Sequence, residues 1–454
     1  MREMQNLVGQ QLSASIPSRP RGCESTKSFN TQYILCVMIL EPYTAKSVMR
    51  KSSPSLFSWG EAYLNPYQGC YHDCVYCDGK SEGYYMHRDF SQRIKVKTNA
   101  PLLLEQFLRK KGYIPFYRQK TNTLVDFIPS LRDSAQKSQP PGFVLHIGGG
   151  VCDVYQPAEA ETQMTRTLLS IARDYGLPVF ILTKNTLVLR DLELLKHINR
   201  TAHACCSFTI TLADNESQKI FEPHASTTDE RFEAIRTLRR EGIHAGIHFY
   251  PVLPFIGDTA ENMETLYTRA REVGAEFVYC WGLTLKPGRN KEEFLSVIQK
   301  HYPHLLQKYQ LLYGNNDRYG NININQLEET GVVYPELTGY KIGYEHAVRY
   351  APDRYIPRGR ISGNLKCSEF LLKVSYIRKC ILREKNVPVV YRAVTTLENL
   401  DTDITHMSQE ELEALSVPGE VTPYLTEYLK GRNYLDELEE KAYHLVSAGL
   451  LGAR

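Results

Sequence analysis

The stretch Asn65-Pro66-Tyr67-Gln68-Gly69-Cys70-Tyr71-His72-Asp73-Cys74-Val75-Tyr76-Cys77-Asp78-Gly79 decides how this chain is read. Its three cysteines have the spacing C-x3-C-x2-C and follow directly on an expected strand at 62–68. A loop at the C-terminal end of a parallel strand is where α/β folds place their chemistry. Four-iron clusters usually take four cysteines. Three thiolates in one tight loop hold three irons of a cubane and leave the fourth open to a ligand. Zinc is the alternative, but zinc usually recruits a fourth ligand and favours two separated pairs. His72 lies inside the loop, where it would chelate poorly alongside all three thiols.

Working outward from the loop, short apolar runs alternate with amphipathic helical stretches. Further strands are expected at 142–147, 178–183, 203–211, 244–252 and 276–283, each rich in β-branched or aromatic residues. Helices are expected at 102–111, 158–175, 187–199, 228–241 and 259–273. Capping boxes at Thr227/Glu230 and Asp258/Glu261 open the last two, and Gly112, Gly176, Gly242 and Gly274 close four of the five. Six strand–helix units in series imply a parallel sheet with right-handed crossovers. A doubly wound sheet and a barrel-like (β/α)6 arrangement both satisfy that, and periodicity does not choose. The segment 113–141 reads as an inserted loop. Beyond 314 a polar run gives way to Tyr, Pro and Arg, then to helices at 408–415 (capping box Ser408/Glu411), 423–429 and 434–448. The expected division is an N-terminal extension at 1–55, disordered in part, a core domain at 56–313 and a mostly helical module at 314–454.

The bulk numbers agree with a folded α/β protein. The chain has 454 residues, a net charge of +3 and 11 cysteines. The charge is close to balanced, so it neither demands nor excludes nucleic acid. The cysteines are too scattered for a secreted disulfide scaffold, which points to a reducing cytoplasm and a metal or cluster site. No apolar run reaches the about 18 residues of a membrane span. The first 37 residues lack the apolar core of a secretory signal, and Met38 is an alternative start. Cys367 and Cys380 have no partner pair, which argues against a second cluster.

The trio, with aromatic Tyr76 before the third cysteine, resembles the radical S-adenosylmethionine (SAM) superfamily motif. Further matches resemble the branch related to spore photoproduct lyase. They are Asn65-Pro-Tyr-Gln-Gly-Cys70, Tyr155-Gln-Pro157, Thr183-Lys-Asn185, Ser207-Phe-Thr-Ile210 and Glu222-Pro223, within about 56–313. The resemblance implies a partial (β/α)6 TIM-like barrel with a 4Fe–4S cluster on Cys70, Cys74 and Cys77. SAM would be cleaved reductively to a 5′-deoxyadenosyl radical that abstracts hydrogen from substrate. It also implies SAM contacts at Tyr76, at Gly148-Gly149-Gly150, at Lys184 and at Ser207, with 248–258 lying against adenine. Cys152 falls near the family's hydrogen-donating cysteine. Each residue has a plain alternative: a tight turn for the glycines, a solvated strand end for Lys184, an ordinary strand serine for Ser207, an inert buried thiol for Cys152.

The expected partners are an external electron donor such as ferredoxin or flavodoxin and, as candidate substrate, a nucleic-acid lesion or a modified nucleobase. Tyr67, Tyr71, Tyr76, Tyr84 and Tyr85 are candidates to stack a base, and 88–97 either tracks phosphates or is a solvated edge. The competing hypothesis is a binding module in which cluster or zinc is structural and the C-terminal helices read nucleic acid. The acidic surplus of those helices, Glu410, Glu411, Glu413 and Asp436 to Glu440, opposes that.

Overall fold

The structure, a computed structural model, describes residues 38–51, 62–84, 86–115, 143–148, 150–314, 317–322, 356, 359–378, 382, 384, 386–431 and 434–447. The expectations for 1–37, most of 113–141, Tyr85, Gly149 and Cys380 lie outside them.

The strands in chain order are β1 (Ile39–Tyr43), β2 (Met49–Lys51), β3 (Ala62–Leu64), β4 (Tyr67–Gln68), β5 (Arg93–Lys97), β6 (Leu145–Ile147), β7 (Val179–Thr183), β8 (Ala204–Thr209), β9 (His244–Val252) and β10 (Val278–Gly282). β3, β6, β7, β8, β9 and β10 are parallel neighbours in that order, and β2 adds to the β3 edge in the antiparallel sense. A doubly wound sheet reverses its strand order at a switch point. No reversal occurs here, so the strands form the wall of a partial (β/α)6 barrel. The helices between them are α1 (Ala100–Lys110), α2 (Ala158–Thr162), α3 (Met164–Tyr175), α4 (Leu192–Thr201), α5 (Asn215–Phe221), α6 (Thr228–Arg240) and α7 (Ala260–Glu272). α8 (Arg289–His301) and α9 (Leu306–Leu312) follow β10. β1, β5 and β4 make a separate three-stranded sheet.

Period-2 alternation sends successive strand residues to opposite faces. Leu145, Ile147, Val179, Ile181, Phe208 and Ile247 face the helices and join the main apolar core. Each such side chain stabilises the fold by roughly 1.5–3 kcal/mol when fully buried. Their neighbours face inward: Val144, Phe180, Cys205 and Phe277 form their own small cluster. Phe180 of β7 reaches His248 of β9 with ring centroids 5.8 Å apart, past the intervening strand.

Several boundaries differ from expectation, each for a local reason. The 62–68 strand breaks in two, because Pro66 has no N–H for a ladder and the Asn65 side chain accepts the Tyr67 N–H at 3.0 Å. The 158–175 helix breaks at Gln163 (φ +49°), and the carboxylate of Glu159 takes the N–H groups of Thr165 and Arg166 at the restart. Thr227/Glu230 forms its capping box, whereas 259–273 is capped by Thr259 rather than Asp258. Part of 88–97 is strand β5, where Arg93 pairs with Glu41 and Lys97 donates to the Asn65 carbonyl.

The C-terminal helices are α10 (Ser362–Tyr376), α11 (Tyr391–Glu398), α12 (Gln409–Glu413), α13 (Thr422–Leu429) and α14 (Tyr434–Ser447), with the Ser408/Glu411 box in place. They pack on a core of their own that includes Leu371, Val394, Ile404, Leu425 and Leu438.

Candidate active site

The loop that carries the cysteines leaves β3 and is held first by the segment after β6. Parallel pairing of Ala62–Leu64 with Leu145–Ile147 brings the two C-terminal ends together. Gln156, fully buried, donates to the Gly69 carbonyl at 2.9 Å and accepts the Tyr71 N–H at 2.9 Å. Asn65 donates to the Cys152 carbonyl at 2.6 Å, and the Tyr67 hydroxyl bonds Glu159. Glu159 is in turn paired with Arg190 at 2.7 Å. Gly69 (φ +97°) is required here: a Cβ would stand 2.5 Å from the Arg93 carbonyl oxygen.

Asp153 ties this segment to the next strand. Its carboxylate accepts from the Tyr155 N–H and the Thr183 hydroxyl, both at 2.8 Å, and from the Lys184 N–H at 2.7 Å. Burial works against its ionisation. The adjoining His72 imidazole, 3.4 Å away, and Lys184 outweigh that and hold the acid at about 2. His72 is thus engaged with Asp153, away from a metal-ligand role.

Tyr76 donates its hydroxyl to Glu222, the residue after α5. Glu222 also forms a buried ion pair with Arg231 at 2.5 Å, and Arg231 donates to the Thr209 carbonyl at 2.8 Å. Lys184, just past the end of β7, stands 5.7 Å from the Tyr76 ring centre. Burial pulls its pKa down, but Cys74, Glu222 and Asp153 more than offset that and keep it a cation. A half-buried ammonium there suits a carboxylate ligand.

The three thiols fit a cluster. Burial pushes Cys74 up to about 12 and raises Cys70 and Cys77 as well, so it takes a bound metal to hold all three as thiolates. Among the described residues no three His, Cys, Asp or Glu side chains converge on a single ion point, which disfavours zinc. The Cys77 thiol donates to the Val151 carbonyl at 3.7 Å. Cys152 is buried beside Cys70 and Cys77.

Of the other expected contacts, Gly148 (φ +94°) lies at the mouth, where a Cβ would stand 2.8 Å from the Leu182 carbonyl oxygen. Gly150 (φ +79°) has open space around it. Ser207 faces the lumen but is paired in the sheet with Leu182, two residues short of Lys184. Its hydroxyl is bonded to His248 Nδ1 at 2.6 Å and to the Gly246 carbonyl at 3.3 Å, so it does not join the mouth group. Gln156, Asp153, Glu159 and Arg231 received no role from the sequence. Gln156 sits in a motif already noted, yet only the β3–β6 pairing puts it beside Gly69.

The radical SAM superfamily model matches residues 64–270, from β3 through most of α7. Over that stretch the chain is a radical SAM superfamily domain. It is therefore an enzyme of the radical SAM type that uses a 4Fe–4S cluster and SAM, and Cys70, Cys74 and Cys77 are the residues that would hold the cluster. When bound, these groups supply one electron to SAM and, on its cleavage, a radical able to abstract hydrogen. An uncharacterized protein of Mycobacterium tuberculosis is 26% identical over 287 residues, covering 62% of this chain and 75% of that protein. One of Methanocaldococcus jannaschii is 23% identical over 284 residues, covering 62% and 91%. Among solved structures, a spore photoproduct lyase mutant with bound AdoMet and dinucleoside spore photoproduct gives a TM-score of 0.40 at 14% identity, over 66% of this chain and 78% of that one. Methylornithine synthase gives 0.31 at 13%, over 60% and 64%.

Proposed function

We propose that this radical SAM enzyme abstracts hydrogen from a planar, uncharged group, and that a nucleobase within a nucleic acid is the substrate class its lumen suits. The outcome would be repair of a lesion or modification of the base. The observation that carries this is the inward face of the wall. Tyr63, His146, Phe180, His248, Tyr279 and Trp281 supply rings, and no carboxylate stands at an inward strand position among the described residues. His146 and His248 are held at about 3 by burial, so both are neutral imidazoles at physiological pH. Neither ring nitrogen of His146 has a hydrogen-bond partner. An unpartnered buried group costs about 1–3 kcal/mol, so stability alone does not account for it.

Cys152 is the group best placed to return a hydrogen atom to a product radical, since its uncharged thiol lies beside the cluster cysteines. Lys184 would receive the SAM carboxylate, and Gly148 and Gly150 would let the backbone approach its amino group. Reducing equivalents would come from an external donor of ferredoxin or flavodoxin type. No helix among the described residues is long and apolar enough to cross a membrane.

Anaerobic reconstitution with iron and sulfide, then SAM and dithionite, should give 5′-deoxyadenosine. Oligonucleotides deuterated in their bases, ultraviolet-irradiated or not, should transfer deuterium into it. Product that forms but stays free of deuterium with every oligonucleotide would overturn the nucleobase proposal while leaving the superfamily chemistry intact.

A further inference from the structure

The cysteine loop is gripped on two sides by parts of the chain remote in sequence. Cys70 lies between Gly69 and Tyr71, both bonded to Gln156. Cys77 and the turn after it are held from the opposite side by residues 284–293, beyond β10. Asn290, fully buried, donates from Nδ2 to the Cys77 carbonyl at 2.9 Å. Arg289 donates to the Lys80 carbonyl at 3.0 and 3.1 Å and to the Arg88 carbonyl at 2.6 Å. Thr284 donates to Asp78 at 3.1 Å, Lys286 pairs with the same carboxylate, and Glu293 pairs with Lys80.

Asn290 is a costly choice at this place. It sits at the start of α8, beside an apolar cluster that includes Cys74, Val75, Tyr76 and Phe294. Its Oδ1 has no hydrogen-bond partner. A buried amide with one satisfied end is worth less to stability than a well-packed apolar side chain. What it supplies is a donor aimed at the backbone of a cluster ligand. Gly288 (φ +96°) makes the turn that starts the helix there.

We propose that Asn290 is a positioning residue for the cluster: by fixing the Cys77 peptide it sets the direction of the Cys77 thiol. This rests on the assignment of Cys70, Cys74 and Cys77 as cluster ligands. Residues 284–293 thereby complete a site that the loop after β3 does not build alone. Partners of this outer kind orient a ligand and tune the metal it holds.

The test starts with the full-length, cluster-free chain. Maleimide labelling is followed cysteine by cysteine by peptide mass spectrometry, which needs no assumption about the cluster. Asn290→Asp removes the donor at constant shape, and Asn290→Leu covers the case in which a buried aspartate prevents folding. Cys77 should label about tenfold faster in either folded variant, with Cys70 unchanged. Gln156→Leu should give the mirror pattern, fast Cys70 and unchanged Cys77. After reconstitution, the Asn290 variants should retain iron but show a shifted midpoint potential and an altered electron paramagnetic resonance spectrum. Unchanged Cys77 labelling, or equal acceleration at all three cysteines, would overturn the proposal. Mirror-image labelling with wild-type cluster spectra would refute its cluster clause alone.

Discussion

Gly69 shows how much of the site rests on a single backbone position. At φ +97° an L side chain is strained, and a Cβ would press on the carbonyl oxygens of Arg93 and Phe90. Gly69→Ala should cost about 1–3 kcal/mol and lower iron uptake on reconstitution; wild-type iron content and melting temperature would contradict this. His146 makes the opposite case. Because its ring nitrogens have no partner and its ring packs on Tyr63 and Phe180, His146→Phe should leave stability at pH 7 equal or higher. The proposed function requires it to lose transfer of deuterium from substrate, while uncoupled 5′-deoxyadenosine formation persists. A variant that melts well below wild type would show that the imidazole serves packing. The residue level was the most legible in sequence where chemistry dictates spacing. Cys70, Cys74 and Cys77 were singled out as candidates by C-x3-C-x2-C, and Lys184 by the family resemblance at the end of a strand. Asp153, Gln156 and Asn290 were missed because each acts through a partner that no spacing rule places beside it.

At the scale of elements, boundaries erred where a side chain intrudes on the backbone. The stretch 158–175 has the apolar period of one helix, yet it is two. Gln163 takes a left-handed conformation, and Glu159 turns inward to cap the second helix and to bond Tyr67 and Arg190. Gln163→Gly should stabilise the chain by about 0.5–1 kcal/mol, since glycine accepts that conformation without strain. Denaturant midpoints would show it, and a loss would mean that the Gln163 side chain has work of its own. α10 escaped notice for a different reason. It is buried on several sides, at Leu365, Phe370, Leu371, Leu372 and Val374 among others, so it shows no single apolar stripe. The wall strands were legible because short runs rich in β-branched or aromatic residues recur between helices that mostly end at glycine.

For the whole molecule, strand order was beyond periodicity, and only the pairing pattern excludes a doubly wound sheet. The barrel interior also sets an acid limit on stability. His146 and His248 titrate at about 3 in the fold against 6.5 for the free side chain. The unfolded chain therefore binds the extra protons first, and stability is lost as pH falls below about 6.5. Each imidazole contributes a slope of up to about 1.4 kcal/mol per pH unit. Urea midpoints measured from pH 7 to 5 should fall, and His146→Phe should roughly halve the slope. A midpoint independent of pH in that window would mean that both rings take up protons as readily in the fold as in the unfolded chain.

The double grip on the cysteine loop also bears on the order of events during synthesis. Gln156 follows Cys70 by fewer than ninety residues, whereas Asn290 follows Cys77 by more than two hundred. A ribosome that has just delivered the β6 segment has already emitted all three cysteines, yet only the first is anchored. Iron delivered at that moment would meet a loop with one end free, open to a wrong partner such as Cys152, which has already been emitted. Cluster loading is therefore expected to be a late event, after α8 has left the exit tunnel, and nascent chains stalled before residue 284 should acquire iron poorly.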